Sequence, residues 1–133
     1  MARAIVGGLL ALHGIVHAVG FTATWRLVAS PENPYTTSVF NGALDVGDAW
    51  IRLVGVLWLV GAAVMVAAAV QVWRGSSHAV AAVVIATTFS LAMCLVGLPA
   101  ARIGVAVDLA ILGVVGAMAI TTEGRRARRG SAG

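Results

Sequence analysis

The sequence predicts an all-α polytopic membrane protein, an antiparallel bundle of four transmembrane helices, and two observations carry this prediction. Of the 133 residues, 60% are hydrophobic and 11% are charged, and the mean hydropathy is +0.98, which is too apolar for a water-soluble domain of this size. Four segments also reach the roughly 20 residues that a helix needs to cross a hydrocarbon core. Their long Ala, Val, Leu and Gly runs lack the alternation of a transmembrane barrel.

The predicted helices together form one membrane domain over residues 1–124. They cover about residues 4–28, 50–73, 79–98 and 103–122. Residues 1–30 also have features of a signal peptide, with Arg3 as its basic region and "LVAS" as its cleavage site. A membrane helix is favoured, because the apolar run is long for a signal core and contains two histidines.

The connections differ strongly in length. The short links "RGSSH" and "GLPAAR" predict that neighbouring helices run antiparallel. Residues 29–49 are the one sizeable polar connection, and loops of this length in compact proteins are often functional. This segment is expected to be either a lid over the bundle or a spacer on the membrane surface, with Tyr35 and Phe40 as interfacial anchors.

The arginines predict the topology. Six of the nine, including the "RRARR" of a basic tail at 125–133, fall on one side of the bundle. Three lie on or near the other side: Arg26, Arg52 and Arg102. The positive-inside rule then predicts a multi-pass protein of the cell membrane, such as a bacterial inner membrane, with both termini cytoplasmic. The tail is expected to contact anionic lipids, and nucleic acid is not expected as a partner.

Polar and ionisable side chains at membrane depth are costly, so they indicate where a site lies. The candidates are His13, His17, Asp48, Arg52, Arg102 and Asp108. At about 1.5 Å per residue, His17, Arg52 and Asp108 fall in the same half of the bundle, towards the 29–49 loop, with His13 beneath them. We therefore expect these side chains to converge on one buried polar pocket.

The charged candidates have several predicted partners. Asp48 and Arg52 are spaced i, i+4 and are expected to form an ion pair within the second helix. Arg52 has Asp108 as an alternative partner, since a cation at this depth must reach the surface or find a carboxylate. Asp108 is expected to pair with Arg52 or His17, or to remain protonated. Arg102 precedes the fourth helix and is expected at the membrane interface.

The histidines lie one turn apart, in "LHGIVHAVGF" (residues 12–21), so both rings project from one face of the first helix. This geometry suits two ligands of one metal ion, with Asp108 or Asp48 as a third, although nothing in the spacing demands a metal. The motif lacks the glutamate of a zinc-protease HExxH. One helix does not supply both axial ligands of a haem, which lie on opposite sides of the ring. Hydrogen bonding between helices, proton relay and binding of a polar headgroup are the alternatives.

Three stretches carry a resemblance to known proteins: "LHGIVHAVGF", "IRLVGVLWLVGAAVMVAA" and "ARIGVAVDLAIL". They resemble a group of small, mostly uncharacterised bacterial four-helix integral membrane proteins, with a weaker similarity to DoxX-like families. The resemblance implies the same architecture over most of the chain and brings no catalytic residues with it. In that group an amide often occupies the position of Asp108, so this chain departs from the pattern there.

The function predicted from these residues is a membrane protein with a buried polar pocket that binds a small lipid-like or quinone-like molecule or relays protons. His13 and His17 are the predicted proton-accepting or ligand-binding groups, Asp108 the proton carrier or counter-ion, and Arg52 the headgroup contact. The alternative is a non-catalytic accessory or assembly subunit of a larger membrane complex, and a homo-oligomer is compatible with both. The sequence favours no particular reaction or cofactor.

Overall fold

The computed structural model describes residues 1–28, 31 and 34–130. Its elements in chain order are α1 (Ala2–Thr24), β1 (Ser38–Val39), β2 (Leu44–Asp45), α2 (Gly47–Arg74), α3 (Ala79–Val96) and α4 (Arg102–Gly130). By length and composition, α1, α2 and α3 are each able to cross a membrane. The predicted all-helical architecture is confirmed to that extent, whereas a membrane bundle of four transmembrane helices, with α4 as the fourth span, and the membrane orientation of the termini stay predictions.

Two of the predicted helix ends are wrong. α1 ends at Thr24, earlier than the predicted 28, because Arg26 adopts a left-handed conformation with φ of 56° and the chain turns there. α4 continues to Gly130, past the predicted end at 122 and into the predicted tail. Arg, Ala and Glu favour helix, so the helix need not stop where the apolar run stops. Residues 131–133 of the predicted tail lie outside the described residues.

Tryptophans hold α1 against α2 at both ends of the pair. The indole N–H of Trp25 donates to the carbonyl of Arg52 (3.1 Å), and the indole N–H of Trp73 donates to the carbonyl of Ala4 (3.5 Å). The end of α1 is therefore next to the start of α2, and the two helices are antiparallel. Main packing then continues along the chain, from α2 to α3 and from α3 to α4.

Small residues set how closely these helices approach. A Cβ atom on Gly14 of α1 would lie 2.8 Å from Cβ of Met65 on α2, so the two backbones pass each other at a distance that only glycine permits here. Close approach of this kind supplies the dispersion energy that holds helices together in lipid, where the hydrophobic effect between them is weak. Met65 is fully buried and lies in the first apolar cluster of the core.

The apolar core has two parts, and polar side chains lie between them. The first cluster consists of Leu10, Met65, Ala68, Ala69, Val83 and Ala86. The second consists of Trp58, Met93 and Cys94 and lies nearer the end of the bundle that carries the hairpin. We call that end the hairpin end. Along α1, α3 and α4, the buried polar residues fall between the positions that build or pack against these two clusters.

The connection between α1 and α2 is a β-hairpin that covers one end of the bundle. β1 and β2 are antiparallel, with Ser38 opposite Asp45. At the hairpin tip, the backbone N–H of Phe40 donates to the carbonyl of Val96 (3.0 Å), and that of Asn41 donates to the carbonyl of Leu98 (3.0 Å). The hairpin therefore reaches from the α1–α2 side to the α3–α4 connection. This position fits a cover over the bundle better than a free spacer.

Candidate functional site

Four polar side chains from three helices meet in the middle of the bundle. His17 of α1, Ser90 of α3 and Asp108 of α4 are almost completely buried, with 1%, 0% and 0% of their surface exposed. His13, one turn before His17 on α1, keeps 11% of its side chain exposed. We call these four residues the polar network.

Ser90 is the hub of the polar network. Its Oγ lies 2.9 Å from Nε2 of His17, 2.7 Å from Oδ2 of Asp108 and 3.2 Å from Nε2 of His13. A fourth contact closes the ring, because Nε2 of His13 lies 3.0 Å from Oδ1 of Asp108. A hydroxyl donates one hydrogen bond and accepts two, so Ser90 matches its three neighbours without a surplus.

The local structure explains why the two histidines share this site. Residues four apart on a helix lie on the same face, and the rings of His13 and His17 meet edge to face at 5.1 Å. Nδ1 of His17 also bonds the backbone carbonyl of His13 (3.1 Å), which fixes the rotation of the His17 ring. The His17 ring thus has a single defined orientation within α1.

α2 forms the wall behind His17. A Cβ atom on Gly61 would lie 2.8 Å from Cδ2 of His17, so the imidazole occupies space that any other residue at 61 would fill. The ring of Trp58 lies 5.1 Å from the His17 ring at 60°. Aromatic edge contacts of this kind add about 0.5–1.5 kcal/mol beyond burial. α2 therefore contributes shape rather than polar atoms to the network.

A cleft of about 920 Å³ runs from the network to the hairpin end. One wall belongs to α1, the opposite wall to the α3–α4 connection and the first turns of α4, and hairpin residues lie over its top. His13, His17 and Cys94 line its inner part. Most of the remaining lining is apolar, including Val16 and Val107.

The structure brings together three of the predicted site residues: His13, His17 and Asp108. Arg52 does not join them, and its predicted contact with Asp108 is absent from the described part of the chain. Its side chain is exposed, because the inward face of α2 at this level carries Ile51, Gly55 and Trp58. Arg52 is 100° around the helix from Ile51 and so points away from the cleft.

Asp48 also has a different partner from the predicted one. Its carboxylate accepts from Arg26 at the end of α1 (3.3 Å) and from the hydroxyl of Tyr35, and it does not pair with Arg52. The Arg26 guanidinium in turn lies 4.0 Å above the Tyr35 ring. The reason is that α1 and α2 are antiparallel, which places the end of α1 beside the first turn of α2. This exposed cluster holds the start of the hairpin segment against the bundle.

Arg102 is the first residue of α4, is exposed and lines the cleft near the hairpin end, and its place at the membrane interface stays a prediction. The metal hypothesis gains no support. Within residues 1–28, 31 and 34–118, no group of three or more His, Cys, Asp or Glu side chains is arranged to hold a metal ion. Both imidazole Nε2 atoms are directed at the Ser90 hydroxyl instead.

Sequence reasoning missed Ser90 and the contribution of Cys94 to the cleft. Ser90 stands three residues after Thr87 in the stretch "ATTFSLAMC", and both hydroxyl side chains are fully buried. The i, i+3 spacing of two hydroxyls on an apolar helix was the available signal. It is weak, because serine and threonine in membrane helices commonly bond their own backbone.

Comparison with protein-family models, with curated proteins and with solved structures gives no match for this chain. The resemblance to small bacterial four-helix proteins and to DoxX-like families stays a prediction.

Proposed function

We propose that this is an integral membrane protein that binds a small lipid-soluble molecule in the cleft between α1 and α4, with its polar end at His13. One observation carries the proposal. A mostly apolar cleft ends at the accessible edge of a buried network of two histidines, a serine and an aspartate. Three of the side chains that the sequence singled out for chemistry, His13, His17 and Asp108, therefore line or support the same space.

The size and lining of the cleft support this function. Pockets for small molecules typically enclose about 300–1,000 Å³ and are apolar, with a few convergent polar groups. A volume of about 920 Å³ falls in that range. Polar residues are a minority of the lining, His13 and Arg102 among them, so the lining suits an amphipathic molecule better than a fully polar one.

The packing order of the helices supports entry from the lipid side. The principal helix pairs are α1 with α2, α2 with α3 and α3 with α4, and the cleft separates α1 from the start of α4. Exposed apolar side chains stand on both rims, Val16 on α1 and Ile103 on α4. In a bilayer these rims would face acyl chains, so a lipid-like or quinone-like molecule would reach the cleft without crossing water.

The test is direct binding with two probes of one shape, 4-nonylphenol and its methyl ether 4-nonylanisole. Purified protein in mild detergent is titrated with each, and bound copies are counted by native mass spectrometry. We expect saturable binding of one copy of at least one probe. Val107→Trp, which fills the cleft, should abolish it.

Leu109→Trp is the matched control, because Leu109 is exposed on the opposite side of the same turn of α4 and does not line the cleft. Binding of neither probe, or equal loss in both tryptophan variants, contradicts the proposal. In that case the alternative function, an accessory subunit whose polar residues only fix helix register, becomes the better account.

A further inference from the structure

We infer that the cleft selects molecules that present a hydroxyl or another protic group, because Nδ1 of His13 faces it as a hydrogen-bond acceptor. The inference rests on the proposed function of the cleft and names the chemistry of its occupant. It follows from counting the hydrogen atoms that the polar network needs.

His17 carries a hydrogen on Nδ1. Nδ1 of His17 lies 3.1 Å from the backbone carbonyl of His13, and a carbonyl oxygen only accepts, so this nitrogen carries a hydrogen. A neutral His17 therefore has a bare lone pair at Nε2. Only the protonated ring has hydrogens on both nitrogens.

Ser90 then fixes the proton content of the network. If its hydroxyl donates to Nε2 of His17, the 2.7 Å contact with Oδ2 requires that Asp108 be protonated and donate to Ser90. If Ser90 donates to Asp108 instead, His17 must be protonated and donate to Ser90. In both arrangements, His17 and Asp108 together carry one proton more than a neutral histidine and an ionised carboxylate would. The pair is therefore neutral overall in both.

The electrostatic cost of burying Asp108 also favours a polar network that is neutral overall. Asp108 is fully buried among residues that include no lysine or arginine partner in the described part of the chain. An isolated carboxylate in a low-dielectric interior is expensive, whereas a neutral acid or a neutralised pair is tolerated. Hydrogen bonding and burial therefore both favour a polar network that is neutral overall.

His13 carries a hydrogen on Nε2 in both arrangements. Oδ1 of Asp108 is an acceptor when Oδ2 carries the proton and also when the carboxylate is ionised. Nε2 of His13, at 3.0 Å, must then be the donor. A neutral His13 with hydrogen on Nε2 has an unprotonated Nδ1, which accepts a hydrogen bond and does not donate one.

Nδ1 of His13 is also accessible. No described residue forms a hydrogen bond with it. Within the described residues, the only buried side-chain nitrogen or oxygen without a partner is Oγ1 of Thr87, so Nδ1 of His13 is not buried. His13 lines the cleft, and its Cε1 atom, adjacent to Nδ1, lies 3.8 Å from where a Cβ of Gly104 would stand in the same lining. Because Nε2 is turned to Ser90 and Asp108, the edge of the ring that is left for the cleft is the one formed by Cε1 and Nδ1.

The consequence is selectivity between molecules of the same shape. A hydroxyl group donates a hydrogen bond to Nδ1 of His13. An ether or carbonyl oxygen in the same place has no hydrogen to donate and sets its lone pair against the lone pair of Nδ1. An unsatisfied buried polar contact costs about 1–3 kcal/mol, which corresponds to roughly 5- to 150-fold in affinity. The unaltered protein should bind 4-nonylphenol at least about fivefold more tightly than 4-nonylanisole, after correction for the partitioning of each probe into detergent.

The experiment measures the two dissociation constants by the native mass spectrometry titration described above. His13→Leu should reduce the preference for the phenol to about onefold. The matched control His78→Leu removes an exposed histidine next to α3 that does not line the cleft, and it should keep the preference.

Each outcome has one meaning. Equal affinities, or tighter binding of the ether, overturn the inference and leave the proposed cleft function standing. Binding of neither probe overturns the proposed function and the inference together. Because the comparison of phenol and ether uses the unaltered protein, it decides the question even if His13→Leu fails to fold.

Discussion

Nε2 of His13 and Oδ1 of Asp108 lie 3.0 Å apart although 95 positions separate them in the chain. This contact joins α1 to α4, a pair that is not among the principal packing pairs of the bundle. The inner end of the cleft is therefore closed by hydrogen bonds rather than by close-packed apolar side chains. A change in the polar network should consequently affect both ligand binding and the position of α4.

Replacement of Asp108 by asparagine and by leucine should have different effects on stability. An amide preserves one acceptor for His13 and one donor for Ser90, which is the pattern of a protonated carboxyl group. Asp108→Asn should therefore change the free energy of unfolding by less than about 1 kcal/mol, whereas Asp108→Leu should lower it by about 1–3 kcal/mol through unpaired polar groups. Unfolding in detergent, followed by tryptophan fluorescence, measures both.

The control for these variants is Ser77→Ala, at an exposed position outside the network, which should leave the free energy of unfolding unchanged. An asparagine variant at 108 that is as unstable as the leucine variant would show that the network depends on a formal charge. The arrangement with a protonated Asp108 would then be wrong, and the ionised carboxylate beside a protonated His17 would be the arrangement present.

Ser90→Ala tests the hub of the network. The change removes one oxygen and leaves Nε2 of His17 and Oδ2 of Asp108 buried without the partner that each has now. We expect a loss of about 1–3 kcal/mol in the free energy of unfolding and weaker probe binding. Ser77→Ala, at an exposed position before α3, should have no measurable effect. Equal stability of the two variants would contradict the assigned role of Ser90.

The existence of the helices was predictable because long apolar runs leave few alternatives in a membrane. Their ends were less predictable, since they depend on local geometry. α1 ends just before Arg26, which adopts a left-handed backbone conformation. Arginine has no preference for this conformation, so the sequence does not predict the helix end. The hairpin likewise depends on backbone bonds from Phe40 and Asn41 to another connection, which the local sequence does not encode.

The residues of the site were likewise predictable only in part. His13, His17 and Asp108 were predictable because ionisable groups are rare and expensive in apolar helices. The inward or outward direction of a side chain was not, because helices that are apolar on all faces carry little amphipathic signal. Arg52 was therefore placed in the pocket in error, and Ser90 was passed over although it contacts every other member of the network.

The hairpin should loosen in acid. Hydrogen bonds from the side chain of Thr37 and from the backbone N–H of Gly47 hold the pKa of Asp45 below its usual value of 3.8. The folded hairpin stabilises the ionised form of Asp45. The contribution of Asp45 to hairpin stability is therefore fully present above the usual pKa of 3.8 and is lost as the pH falls through the lower pKa of the folded state. We expect backbone protection of residues 37–47 against hydrogen exchange, corrected for intrinsic rates, to fall below about pH 4.

Asp45→Asn provides the reference for this measurement, because an amide oxygen accepts the same two bonds and does not titrate in this range. Its protection should be lower at neutral pH and independent of acidification, apart from the titration of other carboxylates. A wild-type hairpin whose protection is as insensitive to acid as that of the variant would contradict the role given to Asp45.

Gly61→Ala should disturb the network without touching a polar atom. The added methyl group would lie 2.8 Å from Cδ2 of His17 and 3.5 Å from Cε1 of Phe89, so the imidazole must move away from α2. Movement of His17 lengthens its bond to Ser90, and overpacking of this kind costs about 1–3 kcal/mol in the free energy of unfolding. Gly113→Ala is the matched control, because a Cβ at that exposed position of α4 meets nothing within 4 Å. The control should be neutral or slightly stabilising, since alanine favours helix over glycine by up to about 1 kcal/mol. If Gly61→Ala were as stable as the control and bound 4-nonylphenol equally well, the fixed position of His17 against α2 would not be what sets the geometry of the network.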